Sequence, residues 1–476
     1  MSPNYSSISA VVAVLILVTI FGCAPVIVFG QEQNPGLDRE FQLAVAQYNS
    51  GHYAEAAAKL ENLLHDVPES FEVHELLGLV YAGESQDAQA NQHLQKAVHL
   101  KPGSVAARTN LAANLVRMGK LQSAQEELKK ADILEPRNFD VNHNLGEIYI
   151  RAGKLPEAVP FLRQAQKTNP SSYDNGYDLA LAYLLTGQPA QARHLVQSLL
   201  PKKNTAELHN LLGQIEEKDG KFVTAANEFE IAAHQDPSES NLFDWASELL
   251  LHRTLDPAIE VFRQAAARFP NSPRLAIGLG IAHYTRGNYD EAVKSLLRGT
   301  DLSPSDPRCY FFLAKAYDSS PGQADEVIQS FRRFSELQPN DARAFYYYAM
   351  SLWKGKRAQD ASFDRHQIES LLKTAITLDP KFAEAHLQLA NLYSDQSQYV
   401  ESIAEYGKAL ENNPDLADAH YRLGQAYVHT SAKEKAQEQF QIYQQLRAQH
   451  LADLDKQRAE IQQFVYSEKD ETPARP

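Results

Sequence analysis

The sequence predicts an all-α solenoid of about twelve stacked helix pairs, and three observations predict it. The set Leu145, Gly146, Tyr149, Gly153, Ala158, Leu162, Ala165 and Pro170 recurs 34 residues earlier as Leu111, Ala112, Leu115, Gly119, Ala124, Leu128, Ala131 and Pro136. Another 34 back it returns as Leu77, Gly78, Tyr81, Ala90, Leu94, Ala97 and Pro102. Prolines keep the same count, with Pro68, Pro102, Pro136 and Pro170 spaced by 34. Each period also reads as two helices, parted by a glycine and closed by a proline. Fixed periods of about 20–50 residues mark stacked arrays. Such an array grows without a single central core.

The bulk numbers agree with folded protein. Of 476 residues, 43% are hydrophobic and 22% charged, which is not the balance of a disordered chain. The formal net charge is −14 and no long basic run occurs, so nucleic acid is not expected as a partner. Cys23 and Cys309 are the two cysteines. Loss of the leader would leave Cys309 alone, with no intrachain disulfide.

Residues 1–30 form the first element. They are apolar from Ile8 to Gly30, and no charged side chain occurs until Glu32. Val11 to Phe21 matches the apolar core of a signal peptide, with Val28 and Gly30 as small residues before a cut ahead of Gln31. The usual Lys or Arg before that core is missing. Residues 8–29 are also long enough to span a bilayer as an uncleaved anchor. Ile20-Phe21-Gly22-Cys23 is similar to a lipobox, although Phe21 is large for its slot. All three readings place the rest of the chain outside the cytosol, in the periplasm or cell envelope. Membrane contact is then expected only through this segment.

The array follows a linker at residues 31–37. In the unit beginning near Phe139, the first helix is expected to about Ala152 and the second from about Pro156 to Lys167. Gly153 suits a left-handed turn between them. Pro156 opens the second helix, where its missing N–H costs little. Pro170 ends it. Pro160 is a misfit that forfeits one helical hydrogen bond. Gly146 and Ala158 are small where two helices approach within about 8–10 Å. The proline ladder then runs on through Pro237, Pro270, Pro304, Pro339, Pro380 and Pro414. Three units depart from it: the fifth has Asn204 in place of proline, the seventh has HRTLDP where a glycine turn belongs, and the tenth carries GKRAQDASFDRHQ. These are the expected places for a change of pitch or a hinge. From Ala432 to about Tyr466 the sequence reads as a long amphipathic helix, its first half finishing the last repeat and its second half projecting. The expected organisation is therefore residues 38–443 as the array, 444–466 as a C-terminal capping helix and 467–476 as a frayed tail.

A helix pair of 34 residues with Leu-Gly-x-x-Tyr, a later Ala, then Leu or an aromatic, Ala and Pro resembles the tetratricopeptide repeat. LLGLVY, NLGEIY and RLGQAY carry the resemblance most closely. It covers about Asp38 to Tyr443. The resemblance implies a right-handed superhelix whose first helices line a concave groove that grips peptides. The family's carboxylate clamp does not carry over. Asn110 and Asn144 match pieces of it, but Thr109 and His143 stand where a Lys belongs.

No constellation for catalysis or cofactor binding is visible. HExxH, GxSxG, a P-loop and GxGxxG are all missing. Gly278 and Gly280 form a lone GxG whose second member is a repeat packing position. His93 and His99 lack zinc-ligand spacing. Cys309 reads as a buried small hydrophobe. A non-enzyme without metal or cofactor is expected.

Function must then come from surface. In each first helix, positions four, seven, eight and eleven face the core at 100° per residue, and positions two, five, nine and twelve face away. Most outward stripes are polar, such as Glu72 and Glu75, or Asp140, His143 and Glu147, or Glu207, Asn210 and Gln214. Later units differ. They offer Tyr284, then Arg308, Phe311 and Lys315, then Arg343, Tyr346, Met350 and Trp353. Aromatics beside Arg and Lys are the composition of an interface hot spot. These eight residues are the candidate partner site, with an acidic segment or a C-terminal carboxylate as ligand. The competing reading is that the aromatics only fill gaps between successive helices. The expected function is a scaffold for proteins or peptides in the cell envelope. An anchored or lipidated assembly factor of outer-membrane or pilus type is the alternative. A carbohydrate-binding or degrading protein is a third, since Trp and Tyr stack on sugars.

Overall fold

The computed structural model describes residues 35–320, 322–359, 364–447, 459–463 and 465. The expected leader, the first part of the linker and the expected tail lie outside the described residues. Among the described residues every regular element is a helix. None of these helices is long and apolar enough to cross a membrane.

The chain divides into two compact units, the first ending at Lys221 and the second beginning at Phe222. The first unit opens with α1 (Pro35–Asn49), α2 (Tyr53–Asp66), α3 (Phe71–Gly83) and α4 (Asp87–Leu100). It continues through α5 (Val105–Arg117), α6 (Leu121–Leu134), α7 (Phe139–Arg151) and α8 (Leu155–Thr168). It closes with α9 (Tyr173–Leu185), α10 (Pro189–Leu199) and α11 (Ala206–Lys218). The second unit begins with α12 (Phe222–Gln235), α13 (Glu239–Leu251), α14 (Leu255–Arg268) and α15 (Pro273–Arg286). Next come α16 (Tyr289–Leu302), α17 (Pro307–Ser319), α18 (Ala324–Leu337), α19 (Ala342–Gln359) and α20 (Arg365–Leu378). The last are α21 (Ala383–Asp395), α22 (Tyr399–Asn412), α23 (Ala417–His429) and α24 (Lys433–Arg447). In chain order these make twelve helix pairs, and within each unit they stack as a right-handed solenoid.

Local chemistry sets each boundary. Ser70, Ser104, Asn138, Ser172, Thr205, Ser238, Ser272 and Asp306 precede successive first helices, and each side chain accepts a backbone N–H of the first turn. Such caps satisfy donors that no helical bond can reach. The turn inside a pair needs one left-handed residue. Gly51, Gly119, Gly153, Gly187, Gly220 and Gly287 supply it with φ between 70° and 90°. In the seventh pair Arg253 takes the same conformation, φ 59°, so the turn expected to lack its glycine keeps its geometry.

The packing follows the period. Ala90, Ala124, Ala158, Ala192, Ala225, Ala258 and Ala292, one on each second helix from α4 to α16, are fully buried. A Cβ at Gly78, Gly146 or Gly280 would run into Leu94, Leu162 or Leu296 respectively. Both Gly280 and Gly278 are packing positions, the latter against Phe262. The recurring prolines have a further role. At four of them the side chain six positions later meets the proline carbonyl and reaches the second helix. His74 Nε2 lies 3.0 Å from Pro68 O, Arg108 Nε donates to Pro102 O at 3.0 Å, and His386 Nε2 and His420 Nε2 repeat this at Pro380 and Pro414. The same side chains meet His93, Glu127, Glu405 and Gln439. His93 thus pairs with His74, not His99.

The three departures have distinct outcomes. The fifth pair has a short second helix, α10, of 11 residues. The seventh is regular. In the tenth, the insertion lengthens α19 to 18 residues, and residues 360–363 lie outside the described residues. The division between units falls elsewhere, in the sixth pair between α11 and α12.

Candidate functional site

In the first unit, polar residues on several first helices bond to the next first helix. Asn110 Nδ2 lies 3.5 Å from Glu75 Oε1, His143 Nδ1 lies 3.3 Å from Asn175 Oδ1, and the Tyr173 hydroxyl donates to Glu207 Oε2 at 2.5 Å. Burial pushes the Glu75 carboxyl up to about 7, against the pull of the Lys101 ammonium. His143, Glu147 and Asp178 bring potential ligand atoms within 4.8 Å of one another, each side chain half-buried. Sequence spacing missed this grouping because Asp178 comes from the next repeat.

The second unit places the eight candidate residues in three settings. Arg308 and Arg343 turn back on their own helix starts. Arg308 Nη2 donates to Asp306 Oδ2 at 2.8 Å, and Arg343 Nη2 donates to Asp341 Oδ2 at 2.8 Å. Tyr346, Met350 and Trp353 pack with Leu352, Ile368 and Leu389, between α19, α20 and α21. Trp353 is only 6% exposed, and Tyr346 sits against Phe382 with ring centroids 5.0 Å apart. Burial raises the Tyr346 hydroxyl above its ordinary range, with Glu384 adding to the shift.

Tyr284, Phe311 and Lys315 form the third setting, on α15 and α17. The Lys315 ammonium lies 4.7 Å from the centre of the Phe311 ring. It also donates to Glu460 Oε2 at 2.5 Å, a contact spanning 145 residues of sequence. Residues 459–463 and 465 are helical. Ile461 and Val465, 5% and 0% exposed, join the cluster that contains Phe312, Leu313 and Tyr317. Tyr284, Phe311, Tyr347 and Tyr348 pack partly buried against that cluster. Burial raises the Tyr284 hydroxyl, with Tyr289 and then Glu460 contributing. Residues 459–463 and 465, from the second half of the helix expected to cap the array and project, therefore lie on the first-helix face of the ninth pair, while residues 444–447 end α24. Tyr347 was missed as a site residue, since its position, the sixth of its unit, belongs to neither the core set nor the outward stripe.

Several known proteins compare with this one. Profiles described as Tetratricopeptide repeat match residues 41–105, 115–170, 149–215, 243–307 and 371–404, and one described as TPR repeat matches 390–430. No curated protein matches the chain. A tetratricopeptide repeat protein from Parabacteroides merdae is 16% identical, with 52% of this chain and 98% of that one covered and a TM-score of 0.40. PilF of Pseudomonas aeruginosa is 18% identical, with 44% and 95% covered and a TM-score of 0.39. PilW, described as a type IV pilus biogenesis factor, is 20% identical, with 43% and 96% covered and a TM-score of 0.38. Twelve helix pairs of one period, matched by repeat profiles in both units, make the chain a member of the tetratricopeptide-repeat family.

Proposed function

We propose that the chain is a non-catalytic scaffold of the cell envelope that grips peptide segments of other proteins along its first-helix groove. The observation that carries this reading is the setting of Phe311 and Lys315. An aromatic ring and an ammonium stand together on an outward stripe, and a short helical segment rests on them. Function in a repeat fold resides in such surface sites and not in the fold itself. Arg308 and Arg343 belong to the rim of this site, each engaged by an aspartate of its own helix start. Tyr346, Met350 and Trp353 pack in a separate cluster with α20 and α21. The test is affinity capture from an envelope extract with the full chain and with Phe311→Ala plus Lys315→Ala, both checked for helicity and melting. A partner kept by the first bait and lost by the folded second supports the reading. Equal capture moves the site off this face.

A second reading is an envelope assembly factor held to a membrane. The apolar run at residues 8–29 and Cys23 favour it. The mass of the mature N-terminus decides. A start at Gln31 leaves a released scaffold. An intact leader, or a lipid mass on Cys23, gives the anchored form.

A further inference from the structure

We propose that the face formed by α15, α17 and α19 recognises a helical peptide with one acidic residue, an apolar residue next to it and a second apolar residue four further on. Residues 459–463 and 465 are its resident occupant, and a partner segment of the same pattern displaces them. This rests on the scaffold reading above and names the class of partner.

The resident segment shows what the face selects. Ile461 and Val465 are four residues apart, which places them on one side of a helix. Both are withdrawn into the core cluster of the second unit. Glu460 is set beside them and is 16% exposed, so its carboxylate would be poorly hydrated without a cation. Lys315 is that cation, and the Phe311 ring fixes where its ammonium stands. Glu460 also acts on the hydroxyls of Tyr284 and Tyr347, which puts it among α15, α17 and α19 at once. A helix read by spaced apolar anchors and one charge is a common mode of peptide recognition.

The chain itself sets the threshold for a competitor. A tethered segment acts at an effective concentration of order mM. A free peptide that binds the vacated face at about 10 μM would then bind the native chain about 100-fold more weakly.

The experiment uses a labelled synthetic peptide of residues 456–469 and reads fluorescence anisotropy. The receptors are the full chain and the full chain carrying Ile461→Asp and Val465→Asp, which unseat the segment. The peptide is expected to bind the unseated chain roughly 100-fold more tightly. A milder receptor, Glu460→Lys alone, is expected to fall between them and guards against misfolding of the double variant. Adding Lys315→Glu to the unseated chain should abolish binding. A peptide with Glu460→Lys should then regain it, which a merely structural lysine would not allow. Equal affinity for native and unseated chains overturns the proposal, as does binding indifferent to Lys315→Glu. If capture by the full chain still depends on Phe311 and Lys315 in that case, the scaffold reading survives and only the partner class falls.

Discussion

In the first unit the largest side chains fully withdrawn from solvent include the leucines Leu60, Leu77, Leu94 and Leu128. In the second they are aromatic, among them Phe243, Phe262, Tyr310, Phe331 and Phe334. The first helices differ in the same sense. In the first unit carboxylates, amides, a histidine and a tyrosine tie several first helices to the next by hydrogen bonds. Those of the second unit bring Tyr284, Phe311 and Tyr347 together and hold Ile461 and Val465 of the same chain. One repeat frame therefore supports two chemistries. Leucine packs against glycine at Gly78 and Gly146 in the first unit, and in the second a ring does the same at Gly278, where Phe262 fills the space. The 34-residue period does not choose between them, because it fixes the small residues, the turn and the places of large side chains but not whether those are leucines or rings.

The largest way to break this contrast is at Tyr310. Its ring stacks on Phe334 at 4.0 Å between centroids, and its hydroxyl donates to Pro304 O at 2.9 Å. Tyr310→Ala is expected to cost about 3–5 kcal/mol. Repeat arrays are stabilised mainly by nearest neighbours. Hydrogen exchange should thus show protection lost in α16 to α19 and kept in α5 to α8. Equal loss in both units would mean that the aromatic core is no more local than the leucine one.

Glu75 sharpens the contrast from the other side. Its carboxyl is pushed from 4.5 up to about 7, chiefly by burial. Between these values the folded chain holds a proton that the unfolded chain has released. Stability therefore falls as pH rises through that window, and the cost is complete above pH 7. Glu75→Gln is expected to stabilise by about 1–3 kcal/mol at pH 8 and to be neutral at pH 4, a range lowered for partial exposure. Urea unfolding at the two pH values measures it. A gain of the same size at both would place the effect in packing, not in charge.

Much of the architecture was legible in the sequence because it is local. The 34-residue recurrence, the turn at Gly153 and the close approach at Gly146 each involve residues within one repeat, and each is found as read. The capping residues were equally available, as Ser104, Asn138 and Ser172 keep the same period. So was the polar side chain six residues after Pro68, Pro102, Pro136, Pro304, Pro380 and Pro414. The site was harder. Arg308 and Arg343 looked like free basic groups, yet an aspartate two residues before each takes its guanidinium. Trp353 looked outward by helical phase, but it packs with Leu352, Ile368 and Leu389 of α19, α20 and α21. The seat of residues 459–463 and 465 left no local trace at all. Its key ion pair joins positions 145 residues apart, and periodicity cannot report a contact made once.

A smaller effect concerns the caps, which both units share. The Ser104 hydroxyl accepts the Ala107 N–H at 3.2 Å. Ser104→Ala is expected to cost about 1 kcal/mol. Thermal melting read alongside hydrogen exchange should place the loss in the first turn of α5. A cost below experimental error would mean that water caps this helix as well as serine does.

The smallest effect falls on the turn. Gly153 and Arg253 occupy the same place in the turns of the fourth and seventh pairs, with φ of 70° and 59°. The left-handed conformation costs a residue with a Cβ about 1–2 kcal/mol. Glycine escapes that cost but also loosens the unfolded chain by about 0.4–1 kcal/mol. Arg253→Gly is therefore expected to stabilise by about 0.5 kcal/mol, and Gly153→Ala to destabilise by a similar amount or somewhat more. The two substitutions have opposite signs only if the turn is held by the frame and not by its residue. Should Arg253→Gly destabilise instead, the arginine side chain would be contributing more than its backbone strain removes, and the seventh turn would have chemistry of its own.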